Sequence, residues 1–286
     1  MSQLRIMSQN QWNCTPNLPH WEEKGLDCSS EVRMKGHVQI LKELMPDILG
    51  GQEVNMNMQA DLMFYCLDEG LPYSLIWGNM TPIIYRADKL ELLATEYVPY
   101  PEHVDGFEGI WCDYKSKSAN LGVFRTKEDG KVFIFLTTHL WWMNGSDPSA
   151  RAYRPGSDQV RRIQIQIAAD LVDKYQEKYG QCPVFFVGDL NTDYRSEAVQ
   201  YALNQRGYSH GHDVAVEFAH EGMGYNGCNC NHPGPCIWED RPFEDAIDHI
   251  LVRNLPEGAV RRFDRHTPDD YVYISDHAPV FVDVIL

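Results

Sequence analysis

Five polar signatures stand beside short apolar runs in this chain: Asn10, Glu53, Asp189-x-Asn191, Asp248-His249 and Asp276-His277. Taken singly, each reads as a helix cap or turn former, because a short polar side chain at a strand end satisfies local backbone groups. Taken together they suit a metal-assisted reaction. Magnesium prefers hard oxygen ligands, commonly one or two carboxylates with water and a substrate phosphate, and Glu53 meeting an Asp at a neighbouring strand end would supply them. A structural zinc site fits less well. Hydrolysing a phosphate ester also needs a group that orients or deprotonates water. A His paired with an Asp provides one, since the carboxylate fixes the imidazole tautomer and stabilises the imidazolium.

The elements that must carry these residues are visible as apolar runs followed by polar pairs. Leu4 to Met7 precedes Gln9-Asn10, Ile48 to Gly51 precedes Gln52-Glu53, and Val132 to Thr137 precedes Thr138-His139. Val184 to Val187 precedes Gly188-Asp189, and Ala246-Ile247 precedes Asp248-His249. Runs this short, rich in Val, Ile and Phe, predict buried strands. Glu31 to Met45 predicts a helix with Val32, Ile40, Leu41 and Leu44 on one stripe, closed by Pro46. Val160 to Tyr175 predicts a second, with Ile163, Ile167, Leu171 and Val172. Mixed strands and helices with polar residues at strand ends describe an α/β enzyme.

Composition narrows the function class. The 286 residues carry 25 Lys and Arg against 41 Asp and Glu, a formal charge of −16. That weighs against a polyanion binder working by diffuse electrostatics, which needs clustered cations to displace counterions. A hydrophobic fraction of 43 % and a charged fraction of 23 % are ordinary for a globular chain, so disorder and disulfide-scaffold classes fall away. No apolar run approaches the roughly 20 residues a membrane helix needs. Residues 1–10 show no export signal, and eight cysteines are sparse enough to be read as thiols in a reducing compartment, so a cytoplasmic location is expected. Length alone leaves one domain or two open.

In order along the chain, Ser8-Gln9-Asn10, Asp47-Ile-Leu-Gly-Gly-Gln52-Glu53, Thr138-His139-Leu140, Gly188-Asp189-Leu190-Asn191, Ile247-Asp248-His249-Ile250 and Ser275-Asp276-His277-Ala-Pro279-Val280 resemble the motifs of the endonuclease/exonuclease/phosphatase superfamily. The matches cover nearly the whole length, which favours a single domain over residues 1–286. The resemblance implies a four-layer α/β sandwich, two packed mixed β-sheets flanked by helices, with the site at one end. It implies Glu53 as the principal Mg²⁺ ligand (Mn²⁺ as an alternative ion), with Asn10 and Asp276 near the metal. Asp189 matches the aspartate that orients or activates water, and Asn191 the amide that holds a phosphate oxygen. His277 resembles the site histidine and Asp248 its carboxylate partner. His139 resembles the second histidine, against the scissile phosphate. Asp189 and His277 are joint candidates for the base.

Further motifs bear on the substrate. Lys117-Ser-Ala-Asn120 lies where many relatives carry basic and hydroxyl residues near substrate, which makes Asn120 a candidate phosphate contact. Arg161-Arg-Ile-Gln164 reads as a structural match on a helix. Trp12 and Trp141-Trp142 follow two of the motifs, and Trp21 and Trp111 stand in loops. Indoles such as Trp141 would give a platform for a flat or sugar-like ring, the plainer reading being loop packing. The stretch Cys228-Asn-Cys230-Asn-His232-Pro-Gly-Pro-Cys236 matches no metal knuckle and is expected to overhang the site and shape specificity. Between Arg206 and Arg253 there are eight acidic residues and one basic residue, Arg241, so a long nucleic acid is a poor partner there. The favoured substrate is a small or sugar-linked phosphate ester. A DNA-repair-type nuclease and a non-catalytic binding protein stay open as alternatives. No protein partner can be inferred.

Overall fold

The computed structural model describes residues 1–13, 22–23, 25, 27, 29–218, 242–266 and 274–286. Trp21 and the Cys228–Cys236 stretch lie outside the described residues. Among the described residues, thirteen strands and four α-helices follow in order: β1 (Gln3–Asn10), α1 (Ser30–Leu44), β2 (Ile48–Gln52), α2 (Met56–Asp68), β3 (Tyr73–Ile76), β4 (Ile83–Arg86), β5 (Leu90–Pro99), β6 (Ser118–Thr126), β7 (Val132–His139), α3 (Ser157–Tyr179), β8 (Val184–Asp189), α4 (Glu197–Gln205), β9 (Ser209–His210), β10 (Glu217–Phe218), β11 (Asp248–Arg253), β12 (Val260–Arg265) and β13 (Val280–Ile285). They form a seven-stranded sheet, β10-β12-β13-β1-β2-β4-β3, and a six-stranded sheet, β5-β6-β7-β8-β11-β9. Both are mixed: β1 pairs parallel to β2 but antiparallel to β13, and β8 pairs parallel to β7 but antiparallel to β11.

The runs are apolar throughout because both faces of each central strand are covered. Phe133, Phe135, Phe185 and Val187 point into the layer between the sheets, against Ile6, Ile48 and Val282. Their strand neighbours Ile134, Leu136, Val184 and Phe186 face α3 and α4. Met7, Leu49 and Phe281 face α1 and α2 on the other side. The result is the expected four-layer α/β sandwich. Gly50 lets the sheets approach, since a Cβ there would sit 2.6 Å from Thr137. Beside it, Gln52 donates to Ser8 Oγ and Thr137 Oγ1, tying the sheets together across the interior.

Helix α1 forms over the predicted span, but its buried stripe is turned. Arg33, Met34, His37, Val38, Ile40 and Leu41 are buried while Val32 is exposed. Arg33 is inside because its guanidinium donates to the carbonyls of Gln11, Trp12 and Ile274, and so holds the segments that follow β1 and precede β13. In α3, Arg161 and Gln164 are likewise buried braces. Arg161 donates to the carbonyls of Trp141 and Met143, and the Gln164 amide oxygen accepts from Trp141 N–H.

A buried histidine pair supports the turn after β8. His249 Nε2–H donates to Thr192 O (2.8 Å), which leaves Nδ1 to accept from His210 Nε2–H (3.1 Å). Burial holds both rings below the ordinary imidazole value, His249 down to about 4. Because the unfolded rings take up protons near 6.5 and the folded ones do not, the pair's contribution is fully present above pH 7 and is lost as the pH falls. The stability of the protein over a His249→Gln variant should therefore shrink by up to about 3 kcal/mol between pH 7 and pH 4. Urea denaturation of both proteins across that range checks it, and a constant difference would contradict it.

Candidate active site

Strand register assembles one half of the site. Ser118 on β6 pairs with His139 on β7, His139 pairs with Asp189 on β8, and Asp189 pairs with Asp248 on β11. Residues paired across a sheet share a face, so these four side chains form a row at one end of the six-stranded sheet. The row includes the last residues of β7 and β8 but the first residue of β11, because β11 runs antiparallel. Asp248 thus opens its strand, where the sequence had placed it after one. The seven-stranded sheet contributes Asn10 at the end of β1, Glu53 just past β2, and Asp276 and His277 ahead of β13.

Glu53, Lys117, His139, Asp189, Asn191 and His277 line one cavity of about 470 Å³, with Asn13, Met80, Asp113, Ser116, Trp142 and Ile247 completing its described wall. The Asn10 amide group bridges the two halves, donating to Asp189 Oδ2 (2.9 Å) and Glu53 Oε1 (3.2 Å). Its oxygen accepts from Trp12 N–H, so what Asn10 turns toward the carboxylates is a donor, not the metal-ligating oxygen expected of it. Ser275 Oγ donates to Asn10 O (2.6 Å) and accepts from His277 N–H, pinning the Asp276-His277 segment to β1.

His277 Nδ1–H donates to Asp248 Oδ2 at 2.8 Å, which fixes the tautomer with Nε2 as the acceptor. The backbone N–H of Asn191 donates to Asp189 Oδ1 (2.8 Å), and one amide hydrogen of Asn191 goes to Leu140 O. Burial, with the Asp248 carboxylate opposite, raises Asp189 to about 6. Burial and the nearby Glu53 charge raise Asp276 to about 6 as well. His139 is pushed well below the ordinary imidazole value by burial and by the Lys117 ammonium, whose Nζ lies 2.7 Å from its Nε2. A neutral His139 therefore faces Asp189 at 3.5 Å as a polar contact, not an ion pair.

The donor set fits a hard divalent cation. Glu53, His139 and Asp189 bring ligand atoms within 4.8 Å of one another, as do Asp189, Asp248 and His277. Asp248 Oδ1 and Asp276 Oδ1 are buried without a hydrogen-bond partner, and a buried carboxylate oxygen left so is costly unless a cation or proton meets it. Asp276 belongs to neither three-residue group. Backbone strain gathers here too. Five of the seven non-glycine residues with positive φ among the described residues, Trp12, Glu53, Met80, Lys115 and Asn191, line or adjoin the cavity.

Two expected substrate contacts need correction. Asn120 is fully buried, and its amide donates to the carbonyls of Thr81 and Trp77, so it braces the β3–β4 connection and does not reach the cavity. Trp141 is 2 % exposed and packs against Trp111 and Val160, while its neighbour Trp142 is 48 % exposed and lines the cavity. Lys117, from the same motif as Asn120, is the cavity-lining side chain that residue-type reasoning passed over. Its signal was a lysine directly before a strand whose pairing partner carries a motif histidine.

A model of the Endonuclease/Exonuclease/phosphatase family matches residues 32–277. The chain belongs to this family. Among solved structures, an endonuclease/exonuclease/phosphatase family protein from Bacteroides thetaiotaomicron is similar with a TM-score of 0.71 and 19 % identity, covering 99 % of this chain and 98 % of that one. A mannosyl-6-phosphatase from the same organism gives 0.70 and 19 %, covering 99 % and 100 %. Truncated TDP2 from Caenorhabditis elegans gives 0.65 and 17 %, covering 99 % and 98 %. At these identities the likeness shows the fold. Among curated proteins none matches the chain. Family membership supports a hydrolase, and the neighbours' names span sugar phosphatase and TDP2, so it does not fix the substrate. No helix among the described residues is long and apolar enough to cross a membrane.

Replacing Lys117 by Met keeps the volume and removes the one Lys or Arg among the described residues of the cavity wall. Loss of a preorganised charge at a reacting phosphate should lower kcat by about a hundredfold, with little change in melting temperature because the cost of burying the ammonium offsets its attraction to Glu53 and Asp189. Steady-state kinetics and thermal melts check both, and a kcat within a factor of about two of the unaltered protein would remove Lys117 from the site.

Proposed function

We propose that the protein is a Mg²⁺-dependent hydrolase of small phosphate esters, with residues 1–286 acting as one catalytic domain. One observation carries the reading: the His277–Asp248 pair, Asp189, Asn191 and Glu53 meet around a single cavity with Lys117 and His139 opposite. When bound, Mg²⁺ (Mn²⁺ as the alternative) draws charge from the phosphoryl oxygens, and Glu53 and Asp276 are its proposed ligands. Asn10 keeps Glu53 and Asp189 at their spacing.

Asp189 and His277 share the candidacy for the base. With a value of about 6, Asp189 is largely ionised at neutral pH and still basic enough to take a proton from water. His277 presents Nε2 because Asp248 holds the Nδ1 proton. The water oxygen forms a bond to phosphorus as the bond from phosphorus to the alcohol oxygen breaks; the water proton passes to the base, and the departing alkoxide takes up a proton. Lys117, His139 and the second amide hydrogen of Asn191 hold the phosphoryl oxygens through this change. The chain's own water-positioning groups suffice for direct attack, with no covalent enzyme intermediate.

A small ester is favoured over nucleic acid. Asp113 stands on the cavity wall, and Lys117 is the one Lys or Arg among its described lining residues, so a second phosphate finds no further cation there. Bis-p-nitrophenyl phosphate with Mg²⁺ should be hydrolysed, the activity should vanish with EDTA and return with Mg²⁺ or Mn²⁺, and His277→Ala and Asp189→Ala should each lose about a thousandfold or more. Unchanged rates in both variants would refute the assignment. Faster cleavage of an abasic duplex, falling steeply with salt, would favour a nuclease.

A further inference from the structure

Trp142 stands three residues past His139, in the loop that leaves β7, and it is held in a way that a merely exposed side chain is not. Its Nε1–H donates to Asp113 Oδ2 at 3.1 Å. Its ring leans on Trp141 at a centroid distance of 6.2 Å and a tilt of 43°. Trp141 in turn meets Trp111 edge-on at 5.5 Å, and the Arg154 guanidinium lies 3.5 Å over the Trp111 ring. This chain of contacts runs back to α3, whose Arg161 and Gln164 grip the Trp141 backbone. The indole is therefore oriented before any ligand arrives, with 48 % of the residue in solvent and facing the cavity that holds His139, Lys117 and Asp189. A large apolar surface kept exposed and rigid beside polar catalytic groups is what a ring-binding platform requires.

The groups beside the indole select among rings. Asp113, whose carboxylate anchors the indole, and Ser116 line the same wall. They offer acceptors for hydroxyl groups at the edge of the platform. A sugar ring matches both features, with its C–H face on the indole and its hydroxyls toward Asp113 and Ser116. A second phosphate in that place would meet the Asp113 carboxylate and be repelled. We propose that Trp142, Asp113 and Ser116 form a subsite for a neutral sugar ring carried by the alcohol side of the phosphate ester. The proposal rests on the phosphoester reading and names the substrate class for it.

The test compares a hexose 6-phosphate, the ringless glycerol 3-phosphate and a nucleoside monophosphate, by phosphate release with Mg²⁺, on the full chain and on Trp142→Ala, Trp142→Phe and Asp113→Asn. The unaltered protein should prefer the hexose ester over the glycerol ester by about tenfold in kcat/KM, the worth of one oriented aromatic contact. Trp142→Ala should erase that preference through KM, Trp142→Phe should keep most of it, and Asp113→Asn should weaken it. Thermal melts confirm that the variants fold. A preference that survives in Trp142→Ala, an equal loss on hexose and glycerol esters, or a nucleoside monophosphate turned over better than the hexose ester and undiminished in Trp142→Ala would each overturn the subsite while leaving phosphoester hydrolysis standing. If no ester is hydrolysed, the phosphoester reading fails instead. The subsite is then read from quenching of tryptophan fluorescence by hexose 6-phosphate and not by glycerol 3-phosphate, and absence of that quenching in the unaltered protein overturns it too.

Discussion

Carboxylates packed together at the meeting ends of two sheets set the terms for everything else in this structure. Asp189 and Asp248 face one another across a strand pair, and Glu53 reaches the same point from the other sheet. Burial, and then the Asp248 charge opposite, make ionisation costly here, which is why Asp189 rises to about 6. The fold offsets the repulsion with specific donors: the Asn10 amide between Glu53 and Asp189, His277 against Asp248, and Lys117 behind His139. These donors act only if the two sheets keep their registers relative to each other. Gln52, bonded to both sheets from the interior, and Gly50, which allows their close approach, stand directly behind the cluster.

The helices do more than cover the sheets. Arg33 on α1 gathers carbonyls from two of the three segments of the first sheet that carry site residues, those after β1 and before β13, and Arg161 on α3 gathers those of the loop beyond His139. A loop with its carbonyls held this way can keep Trp12, whose own carbonyl accepts from Arg33, in the left-handed backbone region, where a non-glycine side chain is disfavoured. Strain, buried cations and converging carboxylates thus occupy the same end of the sandwich, and each is tolerable because the others are present.

Most of the candidate site's membership was legible in the sequence because it depends on residue type at a strand end. Glu53, Asp189, Asp248 and His277 meet as their motifs imply. The misread positions are those where the answer depends on which way a neighbour points. Asn120 and Lys117 belong to one motif, but strand pairing sends Asn120 into the sheet interior and leaves Lys117 at the rim. Trp141 and Trp142 are adjacent in a loop without a period, and the packing of Trp111 and the grip of α3 decide which one turns inward. The stripe of α1 was misjudged for a related reason. Arg33 is buried because the carbonyls it meets belong to segments distant in sequence, which the helical period of apolar residues does not reveal.

The formal charge of −16 takes on a narrower meaning beside this geometry. The cavity departs from the surface as a whole: its described wall carries one ammonium, Lys117, set among neutral His139, amides and the carboxylate cluster. Burial lowers the basicity of that ammonium, and the nearby Glu53 and Asp189 charges keep it cationic. Such a charge acts over a few ångströms in a poorly screened pocket, where its pull on an anion is far stronger than that of a solvated surface lysine. In the proposed reaction it holds one phosphoryl group, and the described lining offers no further Lys or Arg while Asp113 stands on the same wall, a charge distribution that suits a single ester better than a long chain of phosphates.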